Sequence, residues 1–291
     1  MAIIRQKPNM FGGGTPTLSQ IETHNPLSID IIKGCNIHGN YMYYGQYDTD
    51  SESHNSIYNI YRKNLTTGEK TLFKYTGPAD NYKKWSLVVN GLNGSTMYIL
   101  LHNYWGSDVY ALDLTNGYLT YRGVIFRSGS ISGHSSVYAI YANNKIYLID
   151  SNETTHCFDL STNTTITSIV YEYAESMIYD GSNYIYYITG TKLKRINERM
   201  KTAEEMFTFE SGFGTFRSYF LGYLKNSIYF FFVNVGSSGA YMYSFNVNTK
   251  LMKKIDNTDY SSYVGGINGS QAVIINKYAY FPLNAKYGKL R

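Results

Sequence analysis

Short apolar runs rich in β-forming residues stand between polar turns along most of the chain. Asn-Gly and similar pairs often separate one run from the next, as at Asn93-Gly94 and Asn116-Gly117. Such pairs between β-rich runs are strong hairpin signals. The pattern therefore predicts an all-β protein made of consecutive antiparallel strands.

The runs recur with a long period. Five times, a Tyr in an apolar run is followed by a turn that begins with Asn or Asp. The anchoring tyrosines are Tyr43, Tyr98, Tyr147, Tyr186 and Tyr229, the turns start at Asn64, Asp113, Asp159, Asn197 and Asn246, and Tyr280 is a sixth anchor without its turn. These five anchors are spaced 39 to 55 residues apart, and the turns 38 to 49. A strand-built period of about 40 to 50 residues is typical of β-propeller blades.

Each repeat divides into four predicted strands. They are 85–92, 95–102, 108–114 and 118–124 in the second repeat; 137–141, 145–150, 155–160 and 165–169 in the third; 177–180, 184–189, 193–197 and 206–209 in the fourth; and 219–224, 227–234, 241–247 and 251–255 in the fifth.

The two ends of the chain determine the predicted blade count. After Tyr280 only one more short strand fits, at 287–291, while the run 28–32 precedes the first inner strand at 34–38. Placing 28–32 beside the C-terminal strands completes a sixth blade and removes an exposed sheet edge. We therefore predict a six-bladed β-propeller over 28–291, with four-stranded antiparallel blades and N-terminal strand closure. A seventh blade has no anchor, and a parallel β-helix, the main rival, usually has a shorter repeat.

Residues 1–27 fall outside that propeller. Three prolines and the triplet Gly12-Gly13-Gly14 disfavour regular structure in this segment. It is either a loose terminus or an extended docking arm that orders on a partner. In the second case the contact residues are apolar: Ile3, Ile4, Met10, Phe11 and Leu18.

Composition narrows the partner classes. The net charge of +5 is mild and the basic residues are scattered, which argues against nucleic acid. The longest apolar stretch, 218–235, is interrupted by Lys225 and Asn226, so we expect no membrane insertion.

Cys35 and Cys157 fall in different repeats and are interpreted as two reduced thiols. The start of the chain has no signal-peptide pattern, so we expect a chain that is made in a cytoplasm and either stays soluble there or leaves by another route.

The sequence shows no catalytic or metal-binding motif. Its six histidines include no pair at metal-ligand spacing, and the acidic loop 48–54 lacks the Gly of a calcium loop. Asp180 is the only carboxylate on the predicted inner strands, whereas acid–base work needs two. We therefore expect no enzyme, no metal and no cofactor.

Aromatic residues in a predicted loop indicate a binding function more strongly than any motif indicates catalysis. Tyr104 and Trp105 lie in a predicted loop beside Asn103 and Gly106. Flat aromatic rings with amide neighbours can stack on sugars or fill protein pockets, and such surfaces are typical of adaptable binding sites. We therefore predict a binding role for Tyr104 and Trp105.

The chain resembles known proteins in three respects, two in short segments and one in composition. The segment from Ser107 to Gly117 resembles the third strand and turn of kelch-type repeats, although only Gly265-Gly266 offers the kelch doublet. The segment 183–197 is similar to bacterial propellers of the low-density-lipoprotein-receptor type. In composition, the chain resembles structural or adhesive proteins of bacteriophage tails.

The segment resemblances imply the propeller architecture, and the resemblance in composition implies a non-catalytic virion component of a tailed phage, present in several copies in the tail or neck. Its arm would dock on other virion proteins, and its loops would contact neighbours or a host-surface glycan or protein. An intracellular scaffolding or carbohydrate-binding propeller is the alternative.

Overall fold

The computed structural model describes 17 segments of the chain: residues 2–6, 18–23, 35–49, 56–64, 66–78, 83–103, 106–127, 138–149, 155–166, 177–197, 203–209, 215–224, 226–235, 239–255, 257, 273–275 and 278–281. Every regular element in these ranges is a β-strand, which confirms the all-β prediction. In these ranges no helix is long and apolar enough to cross a membrane.

Twenty of the strands form five consecutive repeats of four. Repeat 1 contains β3 (Cys35–His38), β4 (Tyr41–Thr49), β5 (Ser56–Asn64) and β6 (Lys70–Pro78). Repeat 2 contains β7 (Lys83–Asn93), β8 (Thr96–Asn103), β9 (Gly106–Asp113) and β10 (Leu119–Arg127). Repeat 3 contains β11 (Tyr138–Ala142), β12 (Lys145–Ile149), β13 (Thr155–Asp159) and β14 (Thr164–Ile166).

Repeat 4 contains β15 (Met177–Tyr179), β16 (Ile185–Thr189), β17 (Lys192–Ile196) and β18 (Glu204–Thr208). Repeat 5 contains β19 (Thr215–Leu224), β20 (Ser227–Val235), β21 (Ala240–Asn246) and β22 (Leu251–Lys254). Within each repeat the strands pair in chain order and antiparallel, so the predicted four-stranded plan is confirmed.

The prediction of six blades is wrong, because the described strands form five sheets. Repeats 2 and 3 share one eight-stranded sheet, in which β7 and β11 pair in parallel at Asn90 and Ile140. The sequence pattern separates repeats by their turns, but it cannot show that two inner strands come close enough to hydrogen-bond.

The two ends of the chain contribute to one sheet. Strands β1 (Ala2–Gln6), β2 (Leu18–Thr23), β23 (Val273–Ile275) and β24 (Tyr278–Phe281) are arranged in the order β2-β1-β24-β23. The predicted closing strand 28–32 lies outside the described residues, as does the predicted strand 287–291. The backbone of Ala2–Gln6 pairs antiparallel with Tyr278–Phe281.

The repeated Asn/Asp turns connect the third and fourth strands. In repeats 1, 2, 3 and 5 the side-chain oxygen of the first turn residue accepts the backbone N–H two residues later, at 2.8 to 3.0 Å. This local bond replaces a ladder hydrogen bond, which is why Asn and Asp favour such turns. The predicted turns at Asn64, Asp113, Asp159 and Asn246 are therefore confirmed.

The chain has two compact units, one of residues Met1–Ile29 with Ala174–Arg291 and one of Asp30–Tyr173. In each unit, buried side chains of consecutive repeats pack against one another. Repeats 1 and 2 share one cluster, repeats 2 and 3 a second, and repeats 4 and 5 a third. In repeat 4, Ile185–Ile188 of the second strand are all buried, whereas the outer strand β22 of repeat 5 is exposed at alternate positions.

Candidate functional site

The residues that the sequence singled out lie largely beyond what the structure describes. Met10, Phe11, Tyr104 and Trp105 fall outside the described residues. Ile3 and Ile4 lie on β1 and Leu18 on β2, where the backbone alone is described. Their binding roles stay predictions, and the candidate site described below is formed by other residues.

Asp180, the carboxylate considered for catalysis, has a structural role. Its Oδ1 accepts the backbone N–H groups of Ser182, Asn183 and Tyr184 and the hydroxyl of Ser182. These four bonds hold the turn between β15 and β16. Among the described residues no group of three or more His, Cys, Asp or Glu could hold a metal, and the buried Cys157 forms no disulfide.

A tyrosine anchor and the residue opposite it on the third strand form the repeated unit of the fold. The pairs are Tyr43 with Arg62, Tyr98 with Ala111, Tyr147 with Cys157, Tyr186 with Arg195 and Tyr229 with Ser244. In two repeats, therefore, an arginine faces the anchor.

These two arginines fill the space beside their anchors in the same way. In repeat 1, Arg62 lies 4.9 Å from the ring centre of Tyr41, and its Nε donates to the Thr71 hydroxyl at 3.1 Å. In repeat 4, Arg195 lies 4.2 Å from the ring centre of Tyr184, and its Nε donates to Glu204 at 2.8 Å. Each guanidinium also hydrogen-bonds its anchor, Tyr43 or Tyr186.

The buried anchor of repeat 4 makes stability depend on pH. Burial raises the pKa of Tyr186 to about 12, and only 1% of the residue is exposed. An unfolded Tyr ionises near pH 10, so the unfolded chain loses this proton first as the pH rises. The contribution of neutral Tyr186 to the free energy of unfolding is thus fully present below about pH 10. It falls by on the order of 2 kcal/mol as the pH rises towards 12.

Denaturant unfolding measured at several pH values between about 9 and 12 tests this prediction. Tyr186→Phe keeps the ring but cannot ionise, so we expect its stability to fall less steeply than that of the unchanged chain. Tyr118→Phe, at a residue that is 73% exposed, is the matched control and should follow the unchanged chain. Equal slopes for Tyr186→Phe and the unchanged chain would contradict the prediction.

In repeat 2 the position opposite the anchor is Ala111, and an open cleft of about 380 Å³ lies there. We call it the repeat-2 cleft. The side chains from repeat 2 that matter most are Tyr98, Ala111, Asp113, Tyr118, Thr120 and Arg122, and repeat 3 adds Asn144 and Leu160. The cleft is therefore lined by hydroxyl, amide, aromatic and charged groups together.

The carboxylate of the cleft is fixed by its own turn. Asp113 accepts hydrogen bonds from the N–H of Thr115 at 2.8 Å, the hydroxyl of Thr115 at 2.7 Å and Nδ2 of Asn116 at 2.7 Å. The bonds from Thr115 are the main reason why the pKa of Asp113 lies below its usual value. Asp113 therefore stays charged at neutral pH.

The cation of the cleft is incompletely bonded. Arg122 donates from Nη2 to the carbonyl of Leu160 at 3.0 Å, while its Nε is buried without a hydrogen-bond partner. Charged guanidinium groups gain most from several acceptors held in their plane. Arg122 therefore has donor capacity that the described protein groups do not use.

The anchor of the cleft is held between the repeats. The Tyr98 ring stacks on Tyr141 with centres 5.4 Å apart and planes 21° apart, and 5% of Tyr98 is exposed. Nδ2 of Asn93 is 3.5 Å from the Tyr98 hydroxyl, a long hydrogen bond. Among the described residues no arginine donates to this hydroxyl, in contrast to the anchors of repeats 1 and 4.

The repeat-2 cleft was not predicted from the sequence. Its signal was available in principle, since Ala111 occupies the position of Arg62 and Arg195, but that equivalence requires the strand register. Arg62 follows its anchor by 19 residues, Ala111 by 13 and Arg195 by nine, because the hairpins differ in length.

Comparison with known proteins is informative only at the level of structure. No family model matches the sequence, and no curated protein is similar to it in sequence. The β-propeller domain of the Trilobed protease from Pyrococcus furiosus, described as having an open velcro topology, is 14% identical, with a TM-score of 0.54 over 88% of this chain and 78% of that one.

Two further solved structures match less well. An oligogalacturonate lyase in complex with manganese is 12% identical, with a TM-score of 0.47 over 74% of this chain and 61% of that one. A computationally designed protein, Ika8, is 11% identical, with a TM-score of 0.46 over 85% of this chain and 66% of that one.

The likeness to the protease domain shows the fold alone: the chain is a β-propeller with four-stranded antiparallel blades. It gives no support to a kelch-like type or to a tailed-phage relationship. It also corrects the expectation that the chain is not an enzyme, because a propeller of this kind occurs as a domain of a protease.

Proposed function

We propose that the chain is a surface-recognition protein of a tailed-phage particle, docked through its N-terminal segment and binding its target through the propeller. The repeat-2 cleft is the observation that carries the recognition role, because a concave site with a few convergent polar groups is the usual form of a binding site. The composition, rich in Tyr, Asn, Ser and Gly, and the Gly- and Pro-containing segment 1–27 support the phage setting.

Docking through residues 1–27 is supported by the position of β2. Among the described strands, Leu18–Thr23 lies at one edge of its sheet. A strand at an edge presents backbone donors and acceptors to which a partner can add a further strand. The apolar residues Ile3, Ile4, Met10, Phe11 and Leu18 remain the proposed contact residues in this segment.

Incorporation into particles tests docking. Phage particles assembled in the presence of the full chain should contain it in several copies, and a chain lacking residues 1–27 should be absent from them. Because β1 pairs with β24, this deletion can also disturb folding. A peptide of residues 1–27 added during assembly provides the second test, since it should reduce incorporation of the full chain while a scrambled peptide should not.

Particles that never contain the full chain would overturn the virion role. The carbohydrate-binding propeller outside any virus would then be favoured, because the same cleft supports it. Incorporation that neither the deletion nor the peptide affects would leave the virion role and overturn docking through residues 1–27.

A further inference from the structure

We propose that the repeat-2 cleft binds an uncharged saccharide ring, in the space where repeats 1 and 4 hold an arginine side chain. This inference rests on the proposed recognition function and names the ligand class for that site. It is carried by the strand register, the polar lining and the exposed ring of Tyr118.

The space in the cleft follows from one residue. Ala111 pairs with the anchor Tyr98 on one side and with Thr120 on the other. The corresponding rows in repeats 1 and 4 are Tyr43, Arg62 and Thr71, and Tyr186, Arg195 and Glu204. Ala111 offers one methyl group where these rows have a long side chain, so repeat 2 has room for a ligand.

The missing arginine also leaves its hydrogen-bond acceptors available. In repeat 1 the guanidinium of Arg62 donates to the hydroxyls of Tyr43 and Thr71. The equivalent hydroxyls in repeat 2 belong to Tyr98 and Thr120, which both line the cleft. A ligand in this space therefore meets two hydroxyls that can either accept or donate.

The charges of the lining cancel. Asp113 contributes one negative charge and Arg122 one positive charge, and both residues line the cleft. A charged ligand would gain from one and be repelled by the other. A ligand with several hydroxyl groups can instead donate to the carboxylate and accept from the guanidinium, and such charge-assisted bonds are the stronger ones.

Tyr118 gives the ligand an apolar surface. It is 73% exposed, and its N–H donates to Oδ1 of Asn116 at 2.8 Å, which fixes the backbone at the rim of the cleft. The face of a pyranose ring carries C–H groups and is flat enough to lie on an aromatic ring, while its edge carries hydroxyls. An exposed ring beside amides and hydroxyls matches both surfaces of a sugar.

The volume sets the size of the ligand. Ligand pockets commonly measure about 300 to 1,000 Å³, and the cleft, at about 380 Å³, is near the lower end of this range. The cleft suits one sugar ring or the end of a longer saccharide, with the rest of the saccharide in solvent.

Binding of the full-length chain to a panel of neutral, acidic and amino saccharides tests the inference, with affinities measured by titration calorimetry. We expect at least one neutral saccharide to bind, and both Ala111→Arg and Tyr118→Ala to bind it about tenfold or more weakly. Ala111→Arg refills the space, and Tyr118→Ala removes the exposed ring. Ser244→Arg, which adds the same residue opposite the anchor of repeat 5, is the matched control and should bind normally.

Each other outcome has a defined meaning. Unchanged binding by both Ala111→Arg and Tyr118→Ala, or a preference for acidic or amino saccharides, would overturn the inference. A chain that enters phage particles but binds no saccharide would overturn the ligand class and leave the proposed function standing. If Ala111→Arg fails to fold, Tyr118→Ala decides, because a residue this exposed can be truncated without loss of the core.

Discussion

Replacing Phe230 by Ala is expected to lower the free energy of unfolding by about 3 to 5 kcal/mol. Phe230 lies on β20, is fully buried, and belongs to the cluster shared by repeats 4 and 5. Its ring centre is 6.1 Å from those of Phe209, Phe232 and Tyr243. Truncation leaves a cavity among rings that cannot all move to fill it, so the cost is at the upper end for a core residue.

Leu251→Ala is the matched control for this prediction. Leu251 is a large apolar residue of the same sheet, on the outer strand β22, and is 69% exposed. Its truncation should change stability by no more than about 0.5 kcal/mol in the same denaturant titration. A loss below about 1 kcal/mol for Phe230→Ala would show that repeats 4 and 5 do not share a packed core.

Asn36→Ala is expected to cost about 2 to 4 kcal/mol, because it leaves one buried and one partly buried backbone group without their side-chain partner. Asn36 is 1% exposed on β3; its Nδ2 donates to the carbonyl of Val89 at 2.7 Å, and its Oδ1 accepts the N–H of Gly91 at 2.7 Å. These bonds join the inner strand of repeat 1 to the inner strand of repeat 2. Their loss therefore weakens the attachment of one sheet to the next.

Asn40, an exposed asparagine, provides the matched control, because its replacement by Ala also removes a side-chain amide but leaves no buried backbone group without a partner. Asn40 donates to Oδ1 of Asn64 and to the hydroxyl of Thr66, both at 3.0 Å, on the surface of repeat 1. Water can replace these partners, so Asn40→Ala should cost less than about 1 kcal/mol. Equal losses for the two variants, measured by denaturant unfolding, would contradict the role assigned to Asn36.

The repeated strands and their turns could be predicted because they depend on local chemistry. Hairpin pairs such as Asn93-Gly94 and turn residues such as Asp113 carry their own conformational preference, so strands in repeats 2 to 5 agree with the structure closely. The number of sheets depends instead on a contact between distant segments, the parallel pair of Asn90 and Ile140. No local signal marks that contact.

The candidate site could not be predicted from the sequence for a related reason. Ala111 is an unremarkable residue until the register places it opposite Tyr98, in the row where Arg62 and Arg195 stand. Hairpins of unequal length hide this equivalence from any fixed spacing. The described lining of the cleft includes one exposed aromatic residue, Tyr118, whereas the predicted Tyr104 and Trp105 lie outside the described residues.

The central claim is that all repeats share one plan, in which the residue opposite the Tyr anchor either fills the adjoining space or leaves it open. A crystal structure of the Ala111→Arg variant tests this most directly. The new guanidinium should lie beside Tyr98 and donate to the hydroxyls of Tyr98 and Thr120, with the repeat-2 cleft closed. A side chain that extends into solvent and leaves the cleft open would contradict the shared plan.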